Sequence, residues 1–161
     1  MPPMNANNPS TEMKSPDAPR LSLSLVMRNA TAAIDFYARV FGAQEKFRLT
    51  EPGGRLGHAE MTLGGVSLML ADEHPEYGIV GPESRGGTTC SLHLVVDDVD
   101  AAAQRALDAG ATLERPITNE FYGDRVAHLR DPFGHRWALT TRIEEVSPEE
   151  LQRRFQELLK G

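Results

Sequence analysis

The sequence is poor in cysteine and in aromatic residues, and it has no long hydrophobic run. Cys90 is its single cysteine, which excludes a disulfide framework and a cysteine-rich zinc site. The apolar runs are far shorter than the roughly 20 residues that a membrane-spanning helix needs. The N-terminus has no basic region followed by an apolar stretch, so it does not predict a secretory signal. We therefore expect a soluble, cytoplasmic protein with no membrane partner.

The chain also has no excess of positive charge. Its 17 basic residues stand against 23 acidic ones, which gives a formal net charge of −6. The acidic residues are spread along the chain, and this argues against a nucleic-acid partner. The length of 161 residues, with 40% hydrophobic and 25% charged residues, is typical of one globular domain.

Large apolar residues are scarce in the first 19 positions. This stretch holds five of the eleven prolines and three asparagines. Such a composition buries too little apolar surface to offset the entropy lost on ordering. We predict a disordered tail over residues 1–19 and a folded domain over residues 20–161.

The folded part reads as two modules of the same design. Residues 21–71 predict a strand, a helix and three further strands, and residues 89–142 repeat that order. A linker rich in glycine, proline and charge covers residues 72–88, and a C-terminal helix is expected over residues 147–160. The fold class predicted is therefore α+β, with two β-α-β-β-β modules.

Landmark spacing supports an internal duplication. Ser22 and Gly65 are 43 residues apart, and so are Ser91 and Gly134 in the second module. The expected helix N-caps are side chains that can accept from a free backbone N–H, namely Asn29, Asp98 and Ser147. In the second module, the strand after the helix is predicted over residues 112–116.

Several segments carry a resemblance to a known family. Ala33-Ile-Asp-Phe-Tyr37, Val40-Phe-Gly-Ala43 and Asp131-Pro-Phe-Gly-His-Arg-Trp137, in a module that occurs twice, resemble the vicinal oxygen chelate superfamily. That group includes glyoxalase I, bleomycin-resistance proteins and extradiol dioxygenases. Leu68-Met-Leu-Ala-Asp-Glu73 and Phe121-Tyr-Gly-Asp-Arg125 resemble its PhnB-like branch. The resemblance implies one curled mixed sheet around a cleft, helices outside, and a homodimer. The apolar stripe of the C-terminal helix also suits a dimer partner.

Strand alternation assigns side chains to the cleft without reference to the family. On the first strand the leucines face the helices, which leaves Ser22 and Ser24 on the cleft side. The other residues that the same reasoning places there are His58, Glu60, Met69, Ser91, His93, Asp124, His128 and Arg136. Gly123 permits a tight bend that brings Tyr122 and Arg125 near one end of the cleft. Together these are the candidate ligand-binding residues.

Metalloenzymes of this superfamily hold a divalent ion with residues from the first and last strand of each module. By spacing, the corresponding positions here are Ser22, Met69, Ser91 and Ala138. None of them has the imidazole or carboxylate that such an ion requires. We therefore predict that the usual metal site is absent and that no cofactor is bound.

His58, Glu60 and His93 leave three interpretations open. They could form a displaced site for a divalent metal ion, since two imidazoles and a carboxylate can make a ligand set. His58 and Glu60 could instead be a catalytic acid–base pair that needs no metal. They could also be a hydrogen-bonded polar patch.

The predicted function is binding of a small polar or aromatic molecule in the cleft, as in bleomycin-resistance proteins. The alternative is a lyase, isomerase or dioxygenase that uses the displaced metal site or metal-free acid–base chemistry. Whether the protein is an enzyme stays open. Of the remaining residues, Cys90 is expected to be buried, His74 to be solvated, and His135 to stabilise the turn that precedes it.

Overall fold

The structure, a computed structural model, describes residues 20–161, and the predicted tail over residues 1–19 lies outside the described residues. The first module consists of β1 (Ser22–Met27), α1 (Ala30–Phe41), β2 (Gln44–Thr50), β3 (Leu56–Leu63) and β4 (Val66–Asp72). The linker contains a 3₁₀ turn (Pro75–Tyr77) and α2 (Pro82–Arg85). The second module consists of β5 (Ser91–Val95), α3 (Val99–Asp108), β6 (Thr112–Asn119), β7 (Asp124–Arg130) and β8 (Arg136–Arg142), and α4 (Pro148–Leu158) follows. The α+β fold with two β-α-β-β-β modules is confirmed.

The helices begin at the caps that the sequence predicts. The side chains of Asn29, Asp98 and Ser147 each accept a hydrogen bond from a backbone N–H in the first turn of α1, α3 and α4. Gly42 ends α1 at φ 75°, a left-handed conformation that favours glycine. Within the described range 20–161, no helix has the length and apolar character needed to cross a membrane.

The eight strands form two four-stranded mixed sheets, in the orders β1-β4-β3-β2 and β5-β8-β7-β6. The pairs β1–β4 and β5–β8 are parallel, and the other neighbours are antiparallel. No strand pairing joins the two sheets in the described part of the chain, so the expected single curled sheet is two sheets. β1 and β5 are the edge strands, and the contacts between the modules include α1 with α3 and the imidazole of His135 with the backbone oxygen of Val26 on β1.

A single apolar core joins the two modules. Trp137 and Leu139 of β8 are buried in it, as expected, together with the apolar faces of α1 and α3. The Trp137 ring lies 4.4 Å from that of Phe41 and 5.3 Å from that of Tyr37, both on α1. Burial of large aromatic groups contributes strongly to stability, so each module depends on the other for part of its core.

Ala138 lies on the opposite side of β8 from this core. It stands between Trp137 and Leu139 in the strand, and it belongs with Val126 to the buried residues outside the core cluster. Alternation therefore assigned the faces of β8 correctly. Both residues are nonetheless buried, so this part of the sheet is not the open floor of a cleft.

Two expectations about single residues are wrong. Cys90 is exposed rather than buried, because it precedes β5 in the chain and so does not share the alternation of that strand. His74 is buried rather than solvated, because its imidazole hydrogen-bonds to Glu51 and to the backbone oxygen of Asp72. The backbone N–H of His135 donates to the Asp131 carboxylate within the turn, whereas its imidazole Nε2 lies 2.9 Å from the backbone oxygen of Val26 in the first module.

Candidate functional site

The face of each sheet that points away from α1 and α3 is called its polar face below. The strand register places one row of residues across the polar face of the first sheet, in the order Ser24, Met69, Glu60 and Phe47. The corresponding row of the second sheet is His93, Ala138, His128 and Arg115. The two rows occupy equivalent positions in the duplicated module, so the duplication has produced two faces of different chemistry.

In the second sheet two histidines flank a small residue. His93 and His128 are both register partners of Ala138, one on each side. Because neighbouring strands lie about 4.8 Å apart, the Cα atoms of the two histidines are roughly 10 Å apart. The side chain of Ala138 between them is small and buried, whereas His93 is exposed and His128 is partly exposed.

Arg115 holds the imidazole of His128. Arg115 Nη2 donates to His128 Nε2 in a close contact and lies 3.2 Å from Glu120 Oε1. Burial, followed by the charge of Arg115, lowers the pKa of His128 from 6.5, so the ring is neutral at pH 7. Since Nε2 accepts a hydrogen bond, the proton lies on Nδ1. The neutral His128 ring therefore keeps one donor for a ligand.

The sequence reasoning missed Arg115 and Glu120. It ended the strand at Pro116, whereas β6 continues to Asn119. Proline is tolerated there because β6 is an edge strand. Alternation gave no signal for Arg115, because it has the same parity as Leu113 and Ile117, which pack against the core, and only the register shift between Leu113 and Arg115 places it opposite His128.

The loop that joins β6 to β7 closes one end of this polar face. Burial, helped by the charges of Glu120 and Asp124, raises the pKa of Tyr122, so its hydroxyl stays protonated and can donate. Asp124 pairs with Arg142, with 2.5 Å between Oδ1 and Nε. Phe121 packs against Phe155 of α4 at a ring distance of 5.9 Å. The loop thus presents a hydroxyl group and an anchored carboxylate.

Arg125 is not brought together with the other candidates. Its Nε and Nη2 both donate to the Asp100 carboxylate at 2.8 Å, and Asp100 belongs to α3. Arg125 alternates with Asp124 and Val126 along β7, so it points to the helix side of the sheet. Its guanidinium joins β7 to α3.

Arg136 lies two residues before Ala138 and faces the same way. Its Nε donates to Glu114 Oε2 at 2.9 Å, and Ser91 is its register partner. Burial raises the pKa of Glu114, but the hydrogen bonds from Arg136 and Arg130 outweigh this, and the net shift is downward. Glu114 is therefore ionised at neutral pH.

The polar face of the first sheet combines a charged pair with apolar groups. His58 Nε2 lies 3.7 Å from Glu60 Oε1, and their side chains are 37% and 28% exposed. The ring of Phe47 lies 5.8 Å from the imidazole of His58. Phe47 and Leu49 are exposed, and they are the cross-strand partners of Glu60 and His58. This face can contact an aromatic or apolar group next to a hydrogen-bonding pair.

The residues at the positions that bind metal in the superfamily do not fit a divalent ion. Ser22, Met69, Ser91 and Ala138 supply two hydroxyls, a thioether and a methyl group, which are poor or impossible ligands for such an ion. Arg136 is the register partner of Ser91, so its guanidinium adds a positive charge close to that position.

The displaced metal site is not assembled within the chain. His58 and Glu60 lie on β3, whereas His93 lies on β5 of the other sheet. Among residues 20–161, no three histidine, cysteine, aspartate or glutamate side chains lie close enough together to hold a metal ion. The three residues therefore do not form a ligand set in one chain.

Known proteins resemble this chain in sequence and in structure. An uncharacterized protein of Mycobacterium tuberculosis is 43% identical over 137 residues, covering 83% of this chain and 81% of that protein. The crystal structure of TioX from Micromonospora sp. ML1 superposes with a TM-score of 0.60 at 28% identity, covering 78% of this chain and all of TioX. A PhnB protein from Bacillus cereus shares the fold, with a TM-score of 0.63 at 18% identity over 76% of this chain and 99% of that one.

A family model describes most of the folded chain. The model of the Glyoxalase/Bleomycin resistance protein/Dioxygenase superfamily matches residues 21–139, which includes β1 to β7 and the first four residues of β8. Since the twofold β-α-β-β-β architecture, the family model and the structural neighbours agree, this chain belongs to the glyoxalase/bleomycin resistance protein/dioxygenase superfamily.

Proposed function

We propose that the protein binds a small polar or aromatic molecule on its polar faces, without a metal ion at the family's usual positions. The observation that carries this proposal is the row His93, Ala138, His128 and Arg115. It places hydrogen-bonding groups on both sides of Ala138, at a position that supplies a metal ligand in the metalloenzymes of the superfamily. Such groups suit a compact ligand with carbonyl, hydroxyl or carboxylate groups.

Arg115 is the main charged group offered to the ligand. Its Nη2 contacts Glu120 and His128, while Nε and Nη1 donate to no other residue within positions 20–161. The side chain is 54% exposed. A guanidinium with unused N–H groups binds a carboxylate or a carbonyl oxygen directionally. Neutral His128 and the protonated hydroxyl of Tyr122 add donors at the same end.

The homodimer remains part of this proposal. β1 and β5 are sheet edges without a strand partner in the described chain, and α4 exposes Phe155, Leu158 and Leu159. A second copy that covers these groups would bring the polar face of one copy's first sheet, with Phe47 and Leu49, opposite the polar face of the other copy's second sheet, with Arg115. Sedimentation velocity at micromolar concentration should show a dimer. Leu158→Glu should weaken it, and a monomeric unsubstituted protein would refute this part of the proposal.

Titration calorimetry with charged and uncharged aromatic probes tests the binding proposal. Benzoate should bind more tightly than benzyl alcohol, which has no charge, and EDTA should not change either result. Arg115→Gln should weaken benzoate binding, because a hydrogen bond to a charged group contributes about 1.5–3 kcal/mol. Arg153→Gln is the matched control, since Arg153 pairs with Glu150 on α4. Equal affinities in both variants would contradict the proposal.

A second candidate function is proton transfer without a metal. The 3.7 Å separation of His58 Nε2 and Glu60 Oε1 supports it, because a nearby carboxylate stabilises the imidazolium that forms when His58 accepts a proton. The adjacent Phe47 ring would hold the apolar part of a substrate. Exchange of a substrate carbon-bound hydrogen with deuterated water, lost on His58→Gln, is the expected result.

A further inference from the structure

A cavity of about 800 Å³ lies at one end of the second sheet, between α2 and the strands β6, β7 and β8. Its lining includes two hydroxyl groups and three charged side chains, namely Thr88, Thr112, Glu114, Arg130 and Arg136. The cavity lies on the same polar face as His128, but no residue of the His93–Arg115 row lines it. The cavity and the row are therefore formed by different residues of the same polar face.

Two guanidinium groups in the cavity share one carboxylate. Arg130 Nη2 lies 3.0 Å from Glu114 Oε1, while Arg136 approaches Oε2 with Nε at 2.9 Å and Nη2 at 2.8 Å. A guanidinium has five N–H donors, so most of those on Arg130 donate to no residue in the described range. The Arg130 side chain is also 59% exposed. Together, Glu114, Arg130 and Arg136 carry one net positive charge, and they have unused N–H donors beside the cavity.

The lining also includes two other carboxylates, Asp131 and Glu83. Asp131 keeps its negative charge, but it is buried and its two oxygens already accept from four neutral donors of the protein, so it does not pair with Arg130 or Arg136. Glu83 lies 3.5 Å from Arg28 Nη1, which is a cation of its own. The hydroxyl of Thr88 accepts from the backbone N–H of Cys90, so its hydrogen is available as a donor.

We propose that this cavity holds the anionic group, a carboxylate or a phosphate, of the ligand bound on the polar face. This inference rests on the proposed function and specifies the ligand further. Arg130 follows His128 by two residues on β7, and Arg136 precedes Ala138 by two residues on β8. Two residues of strand span about 7 Å. The ligand is therefore a compact molecule with an acidic group about 7 Å from a carbonyl or hydroxyl group that reaches His128.

Calorimetric titrations with inorganic phosphate and with benzoate, at an ionic strength held constant with chloride, test this assignment. Arg130→Gln should weaken phosphate binding about tenfold or more, since a charged hydrogen bond is lost, and it should weaken benzoate binding more than Arg115→Gln does. Glu114→Gln should have the opposite effect and strengthen binding several-fold, because it removes the carboxylate that competes for the two arginines. Arg48→Gln is the control, since Arg48 makes a comparable pair with Glu45 on β2. A merely structural role for Glu114 would not produce tighter binding.

The outcomes separate this inference from the proposed function. If benzoate binds and depends on Arg115 but not on Arg130 or Glu114, the anionic group lies at the row and the cavity assignment is wrong, while the proposed function stands. If benzoate binds with no dependence on Arg115, Arg130 or Glu114, the cavity assignment and the proposed function are both wrong. Phosphate binding that responds to Arg130 and Glu114, without benzoate binding, supports the cavity and limits the anion to phosphate. Absence of binding by both probes overturns the assignment.

Discussion

Tyr37 donates its hydroxyl hydrogen to Asp131 Oδ2 across 2.6 Å, and this bond joins the helix of the first module to a turn of the second. Asp131 is only 4% exposed and also accepts from the indole N–H of Trp137 at 2.9 Å. Its other oxygen accepts from the backbone N–H groups of Phe133 and His135. Burial, followed by the charge of Asp131, raises the pKa of Tyr37 well above its usual value, so the hydroxyl remains a donor. The two modules are thus held together by a satisfied buried carboxylate.

Replacing either partner of this bond should destabilise both modules together. Tyr37→Phe should lower the free energy of unfolding by about 1–3 kcal/mol, because it removes one donor from a buried carboxylate. Asp131→Ala should cost more, since it leaves four buried donors without an acceptor. Urea unfolding followed by tryptophan fluorescence measures both. Tyr77→Phe, at a site 77% exposed, is the control, and an equal loss there would disprove the explanation.

His74 should make the folded protein less stable as the pH rises. Its Nδ1 lies 2.8 Å from the backbone oxygen of Asp72 and its Nε2 lies 2.8 Å from Glu51 Oε1. Both atoms it faces are acceptors, so the doubly protonated ring fits best. The hydrogen bond to Glu51 is the main cause that raises the pKa of His74 from 6.5, while Arg55 opposes it.

Because the folded pKa lies above the unfolded one, the stabilisation is complete below the unfolded pKa and is lost as the pH rises through the folded pKa. As the pH rises above about 6.5, the melting temperature should therefore decline more steeply in the unsubstituted protein than in His74→Gln. Glu51→Gln should reduce the decline as well. Parallel curves for all three proteins would show that His74 is not responsible.

His128 should titrate in the opposite direction from His74. Burial, and then Arg115, lower the pKa of His128 from 6.5. Proton NMR titration of the five histidines should place one imidazole clearly below 6.5 and His74 above it. Arg115→Gln should move the pKa of His128 upward, since one of the causes that depress it is removed. A His128 pKa that does not respond would place Arg115 away from the ring in solution.

Glu60 should matter for ligand binding more than for folding. Its carboxylate is partly exposed and 3.7 Å from His58, so the pair contributes at most about 1 kcal/mol to stability. Glu60→Gln should unfold in urea almost as the unsubstituted protein does, while ligand affinity or proton-transfer activity changes. A loss of several kcal/mol with unchanged ligand affinity would make Glu60 a structural residue.

Gly123 should not tolerate a side chain. Its φ is +94°, and a Cβ atom there would lie 2.3 Å from the backbone oxygen of Glu144. Gly123→Ala should cost at least about 1–2 kcal/mol from backbone conformation alone and should displace the segment that leads to α4. Gly53→Ala is the matched control, because a Cβ atom there meets nothing within 4 Å. Equal melting temperatures for the two variants would contradict this.

The sequence by itself determined the order of the strands and helices in both modules and the buried side of β8. The caps at Asn29, Asp98 and Ser147 depend on neighbouring backbone groups, which local sequence specifies. The assignment of Trp137 to the core and Ala138 to the opposite face depends on a two-residue period. These features depend on neighbouring residues, so the local sequence pattern predicts them.

Only the tertiary structure decided which polar groups meet. Arg115 reaches His128 because register shifts in the β6–β7 pairing follow from irregularities around Pro116, which alternation does not anticipate. Arg125 pairs with α3, and His74 is buried against Glu51, because separate elements approach each other there. The modules form two separate sheets, and Tyr37 and Phe41 of α1 pack against Trp137 of β8 in the other module. Contacts of this kind join residues that are distant in sequence, and they are set by how the modules pack, which no local pattern encodes.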